Sequence, residues 1–181
     1  MAEVAPRAPP PPFFPSIDPY YGRYIDRVAA QDILVTLRDQ RAEIASFVSG
    51  LDPAIADYRY APGKWTTRQV LNHVCDTERI FATRALCVAR GETAPLPGFD
   101  ENAYADASES DRRPLTDLGR EFDLLRGATL GMFGAFDDAA WTRVGNANGS
   151  PVSVRAIAWI LAGHADHHLH VIRDRYLGAN G

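Results

Sequence analysis

The chain of 181 residues lacks several things, and each absence removes a class of protein. No uninterrupted apolar run is long enough to span a bilayer. The N-terminus, Met-Ala-Glu-Val-Ala-Pro-Arg, has no apolar core behind a basic start, so it does not read as a signal peptide. A cytoplasmic location without membrane partners is the expectation. Basic excess is missing too. The formal net charge is −4 and no basic cluster offsets it, which argues against a nucleic-acid partner. Cysteine is scarce. Cys75 and Cys87 form no CxxC motif and point in different directions at helical spacing, so two reduced thiols are expected rather than a disulfide. There is no Gly-rich phosphate loop, no GxSxG and no Cys-His pair on one helical face. Nucleotide-dependent and serine-hydrolase chemistry therefore have no support.

What remains is an ordinary globular composition, 46% hydrophobic and 23% charged, with enough chain for one domain and a real core. Residues 1–19 form a proline-rich, partly disordered segment, with polyproline II favoured over 8–15. The aromatic stretch 13–24 is expected to drape over the body as an ordered arm. A domain over 20–181 follows.

Four helices are predicted. From Asp32, Ile33, Leu37, Ile44, Phe47 and Leu51 recur as an amphipathic stripe, with Gly50 as a stop. Thr66 and Gln69 make a capping box for a second helix over 67–90, stopped by Gly91. Residues 92–113 read as a long connection. Thr116 can cap a third helix, with Leu118, Phe122, Leu125, Met132 and Phe136 inward, though Gly119, Gly127, Gly131 and Gly134 weaken it. After turn chemistry over 145–151, Ser153 can cap the fourth helix, which Gly178 ends. No alternating strand is evident. The fold expected is all-α, a four-helix bundle with an extended N-terminal arm.

Histidine carries the chemistry. Four of the five histidines lie in the run 163–170, Gly-His-Ala-Asp-His-His-Leu-His. His164 and His168 are four apart, so on a helix they share a face. At about 100° per residue, His168 lies about 40° from His164, amid Ile157 and Leu161. His73 likewise sits on the apolar stripe of the second helix, with Val70, Val88 and Arg84. Three imidazoles aimed at a bundle interior must find partners. One divalent ion would satisfy all three, and three histidines with an open position is the ligand set of a catalytic metal site. The competing reading is a hydrogen-bonded core histidine and a chance HxxxH. His167 and His170 fall off the stripe and read as surface residues. Asp76, Glu78 and Asp166 also lie off it, suited to surface salt bridges or contacts to imidazole N–H groups rather than ligation. Arg84 and Arg175 lie on the stripe beyond the histidines. They either steer an anionic substrate or snorkel from the bundle end.

Gly63-Lys64-Trp65, Val70-Leu71-Asn72-His73 and Asp76-Thr77-Glu78-Arg79 resemble the second-helix start of the DinB-like (YfiT-like) four-helix proteins. Pro95-Leu96-Pro97-Gly98-Phe99-Asp100, the His164–His168 run and Arg173-Asp174-Arg175-Tyr176-Leu177 match one subgroup, and the resemblance covers 20–177. It implies an up-down-down-up bundle, often a homodimer, with His73, His164 and His168 as metal ligands. It also implies a small-molecule substrate and one of several activities: transfer of a low-molecular-weight thiol, isomerisation or hydrolysis. Zinc suits three imidazoles best, with nickel, iron and manganese as alternatives. The function expected is a divalent-metal-dependent transferase or hydrolase that activates a low-molecular-weight thiol or water against a small electrophile. The alternative is a metal-binding stress-response protein without turnover. Trp159, on the outer side of the fourth helix by the same wheel, is a candidate contact with a second subunit.

Overall fold

In a computed structural model, residues 19–28 and 32–178 are described. The proline-rich segment and the first part of the aromatic stretch lie outside them. Seven α-helices and one hairpin follow in order: α1 Pro19–Ile25, α2 Ile33–Ser49, α3 Thr67–Ala89, α4 Glu101–Ala107, α5 Leu115–Gly134, α6 Asp138–Thr142, β1 Val144–Ala147, β2 Ser150–Ser153 and α7 Val154–Val171. A π-helical segment, Ile172–Leu177, continues α7. No helix among the described residues is long and apolar enough to cross a membrane.

The long helices α2, α3, α5 and α7 form the bundle. Each of α2 and α3 packs on both α5 and α7. Two core clusters fix their directions. One joins Ile33 and Leu37 of α2, Phe81 and Val88 of α3, Phe133 of α5, and Val154 and Ile157 of α7. The other joins Ile44 and Val48, Val70 and Val74, Leu118 and Phe122, and Leu169. The start of α2 thus lies with the start of α7 and the ends of α3 and α5. The order is up-down-down-up, as expected. Parallel neighbours α3 and α5 need a connection that runs back along the bundle, hence the long stretch between them.

Local signals set most helix ends. Asp32 caps α2 by accepting from the Leu34 N–H. The Thr66–Gln69 capping box forms in both directions, at 3.0 and 3.1 Å. Gly91 takes a φ of 83° just past α3. Ser153 Oγ accepts from the Ala156 N–H at the start of α7. Thr116, however, does not cap α5. Pro114 holds the cap position, and its carbonyl accepts from the Asp117 and Leu118 N–H groups. A proline can begin a helix because its own N–H is not needed there. Two of the glycines of α5 have a packing reason: a Cβ at Gly119 would stand 2.9 Å from Val48 Cγ1, and one at Gly127 3.0 Å from Arg41 Cζ, both on α2.

Three further expectations are corrected. The turn region holds a two-stranded antiparallel hairpin, Val144 opposite Ser153 and Ala147 opposite Ser150. Asn148 and Gly149 both take positive φ, 54° and 77°, the conformation an Asn-Gly hairpin turn requires. The strands are too short for alternation to show, and Pro151 masks one of them. The connection after α3 is not all loop: it contains α4, and Leu96 donates to Asn146 O on β1. Trp159 is wholly buried inside the chain rather than on an outer face. The first two-thirds of α7 is covered on all sides, by α1, α6 and β2 as well as by α2 and α3, and every residue from 153 to 165 is buried. A wheel that presumes a solvent-facing back does not apply to a central helix.

Between the two apolar clusters lies a polar layer. Arg126 of α5 is fully buried and donates from Nε and Nη2 to both oxygens of Glu78 on α3, at 2.8 and 2.9 Å. Its Nη1 donates to Gln40 of α2, and Nη2 also reaches Leu161 O on α7. Gln40 Nε2 in turn donates to Ala162 O. Glu78 is therefore buried rather than on the surface, and its two oxygens accept from Arg126. A helical wheel shows direction but cannot show that an arginine waits on another helix. The single variant Arg126→Met should lose about 3–5 kcal/mol in urea unfolding, because it leaves a carboxylate buried without its cation. Joining Glu78→Leu to it should recover much of that loss. Equal or greater loss in the double variant would show that the pair itself, not the orphaned charge, carries the stability.

Candidate metal centre

His73 projects from the second turn of α3, and His164 and His168 from adjacent turns of α7. One ligating nitrogen from each ring lies within 4.8 Å of the others. His73 Nε2 and His164 Nε2 are 3.0 Å apart. Ring centroids are separated by 4.9 Å for both pairs that include His73, and by 4.5 Å for His164 and His168. Two nitrogens each about 2.1 Å from one ion stand at most about 4.2 Å apart, so a small side-chain rotation closes the set.

The surroundings hold these rings in place. Trp65 lies against His73 at 4.8 Å, and Tyr24 of α1 meets His164 edge-on at 5.3 Å. Helix α1 can come that close because residue 163 is glycine: a Cβ there would stand 1.8 Å from the Tyr24 carbonyl oxygen. His164 follows directly.

Electrostatics favour the ligating form. Burial, and then the neighbouring His167, push the His73 pKa down from the usual 6.5 to about 4. Burial drives His164 and His168 well below the ordinary value, and the other rings of the cluster add to it. His168 keeps some solvent exposure as a residue, yet its Nδ1 is shut off from solvent with no hydrogen-bond partner. Neutral rings, two nitrogens facing each other and an orphaned third ring nitrogen all fit a divalent cation.

Two cavities flank the cluster. The first, about 340 Å³, is lined by His73 and His164, by Thr77, Phe81 and Arg84 of α3, and by Tyr20, Tyr21, Tyr24, Phe99 and Glu101. The second, about 360 Å³, reaches His168 and His167 past Trp65, Tyr60 and Tyr176. Glu101, on the first turn of α4, lines both.

Of the residues singled out in the sequence, His73, His164, His168 and Arg84 come together. Arg175 is exposed on the segment after α7 and lines neither cavity. Asp166 pairs with Arg27 at 2.7 Å, and Asp76 accepts from Asn72 at 2.8 Å. His170 is exposed, and its Nδ1 lies 2.9 Å from Asp166 O. His167 is half-buried against Tyr24 and His168. Both cysteines are free; burial raises the Cys75 thiol to about 12, too high for a thiolate nucleophile. The tyrosines of α1, Glu101 and Thr77 join the site without a signal in the sequence. Thr77 lies four residues after His73, on the same face of α3, but nothing in the sequence marks it as a site residue.

The family model described as the DinB superfamily matches residues 36–172. Among solved structures, the chain is similar to YfiT from Bacillus subtilis, described as a probable metal-dependent hydrolase with an unusual four-helix bundle topology. The TM-score is 0.73 at 18% identity, covering 98% of this chain and 99% of that one. At that identity the likeness carries the fold alone. No curated protein matches the chain.

Acid should destabilise the metal-free protein. The unfolded chain binds protons at its ordinary histidine pKa, whereas the folded one resists until far lower pH, so protons favour unfolding. The loss should begin below about pH 6.5 and grow down to about pH 4, with His73 alone contributing on the order of 3 kcal/mol. Urea midpoints that stay flat between those values would contradict the burial argument.

Proposed function

The chain belongs to the DinB superfamily, and from that premise we propose that it is a divalent-metal-dependent enzyme acting on a small molecule, with His73, His164 and His168 as the ligands. The observation that supports this most is the convergence of three neutral imidazoles, two of them, His73 and His164, on the wall of a cavity large enough for a substrate. A bound ion supplies Lewis-acid polarisation and lowers the pKa of a coordinated nucleophile. Zinc fits three imidazoles; nickel, iron and manganese also accept them.

The protein's own part is positioning. Trp65 and Tyr24 lock the rings of His73 and His164. The aromatic walls of the first cavity exclude water from the reacting end of the substrate, which strengthens every charge interaction there. Two reactions are within reach. Hydrolysis needs one organic substrate and water, and it agrees with what the YfiT structure is described as. Transfer of a low-molecular-weight thiol needs room for two reactants, and the second cavity at His168 supplies that room. A non-catalytic metal-binding role would leave both cavities without purpose.

The test is metal analysis followed by turnover, on protein purified without a nickel column. One ion per chain is expected in the wild type and in His170→Ala, and none in His164→Ala. The loaded protein should hydrolyse 4-nitrophenyl acetate, or conjugate cysteine to chlorodinitrobenzene, at least about a hundredfold faster than His164→Ala, and lose that rate to chelator. Equal metal loss in both variants would assign the ion to surface histidines. Full loading with neither activity would favour the non-catalytic role.

A further inference from the structure

Resting on that reading, the first cavity also carries information about what enters it. Three polar side chains of α3 line one wall: His73, Thr77 and Arg84. They lie within about 40° of one another on the helix. With a rise of about 1.5 Å per residue, Thr77 stands about 6 Å and Arg84 about 16 Å beyond His73 along the axis. Phe81 and Phe99 fill the wall between and around them.

Arg84 is only 4% exposed. Its Nη2 donates to Pro97 O at 2.7 Å, and the guanidinium lies over the Phe81 ring at 4.7 Å. Among the described residues it forms no salt bridge. Glu101, the carboxylate of the same cavity, instead accepts from the Tyr20 hydroxyl at 3.4 Å. A guanidinium has five donors, and a buried cation without an anion is costly. Thr77 makes a second, independent point. The residue lines the cavity, and its Oγ1 is buried with no hydrogen-bond partner. Buried polar atoms left open in this way are exceptions that call for a ligand.

We propose that the cavity takes an elongated substrate with a single terminal carboxylate, seated on Arg84, whose apolar middle passes Phe81 and whose polar reacting end lies at the histidines and hydrogen-bonds to Thr77, one turn away. A single cation on this wall favours a singly charged group over a phosphate dianion. The planar guanidinium matches a carboxylate in both shape and charge. Arg84 and Thr77 are then specificity residues for this site, and α3 measures the distance between the anchor and the reacting bond.

Suberic acid monohydroxamate serves as the probe, since it carries a metal-binding head and a carboxylate at opposite ends of an alkyl chain. Its terminal amide is the control. Both are titrated calorimetrically into zinc-loaded and zinc-free wild type, Arg84→Gln and Thr77→Val. In the wild type the acid should bind about tenfold or more tighter than the amide. In Arg84→Gln the two should bind equally. In Thr77→Val both should weaken by a similar, smaller factor. Acid and amide of equal affinity in zinc-loaded wild type would overturn the proposal, and if zinc tightens both, the metal reading stands without it. A preference for the acid that zinc does not affect would support the carboxylate seat and count against the metal. Failure of both probes to bind in either form overturns the seat as well. The wild-type comparison of acid with amide decides the matter even if a variant fails to fold.

Discussion

The bidentate pair between Arg126 and Glu78 is the constraint on which the rest of the bundle depends. It is wholly buried, and its hydrogen bonds reach all four long helices: Gln40 on α2, Glu78 on α3, Arg126 on α5 and the Leu161 carbonyl on α7. Taking two charges out of water is expensive, so such a layer does not stabilise the fold simply by existing. Its effect is on register. If any helix slipped by one turn, the apolar residues above and below would still find apolar neighbours, but the guanidinium or the carboxylate would be left alone. The core is accordingly split into two clusters with the polar layer between them.

Register matters because the histidines sit just beyond that layer. His73 lies five residues before Glu78, and His164 lies three after Leu161. Once Arg126 has set the relative height of α3 and α7, the three rings have little choice but to meet. Helix α1 completes the arrangement from outside. It lies so close to α7 that only glycine fits at 163, and it brings Tyr24 onto His164 and the tyrosines onto the cavity wall. The site is thus made by one polar layer that sets depth and one glycine that admits a cover.

The substrate wall follows from a single helix. His73, Thr77 and Arg84 share a face of α3 by periodicity alone, so their spacing is as rigid as the helix itself. Specificity carried on a helix is steadier than specificity carried on a loop. The rest of the lining is different in kind: α1, α4 and the hairpin turn lie outside the four bundle helices, and their placement depends on packing.

The sequence by itself determined the periodic parts. Stripes, the Thr66 and Ser153 caps and the glycine stops located the bundle helices, because those signals act over a few residues. The direction of His73, His164 and His168 toward one interior was legible for the same reason. Tertiary structure decided everything that needs a partner from elsewhere in the chain. The charge of Glu78 looked peripheral because its counter-ion lies forty-eight residues away. Trp159 looked external because the wheel cannot know that α1, α6 and the hairpin cover the back of α7. The hairpin itself was hidden because four-residue strands carry too little alternation to register. Of the two arginines, only the fold could seat Arg84 in the cavity and leave Arg175 in solvent, since each follows the histidine stripe of its own helix and only the ends of the bundle distinguish them.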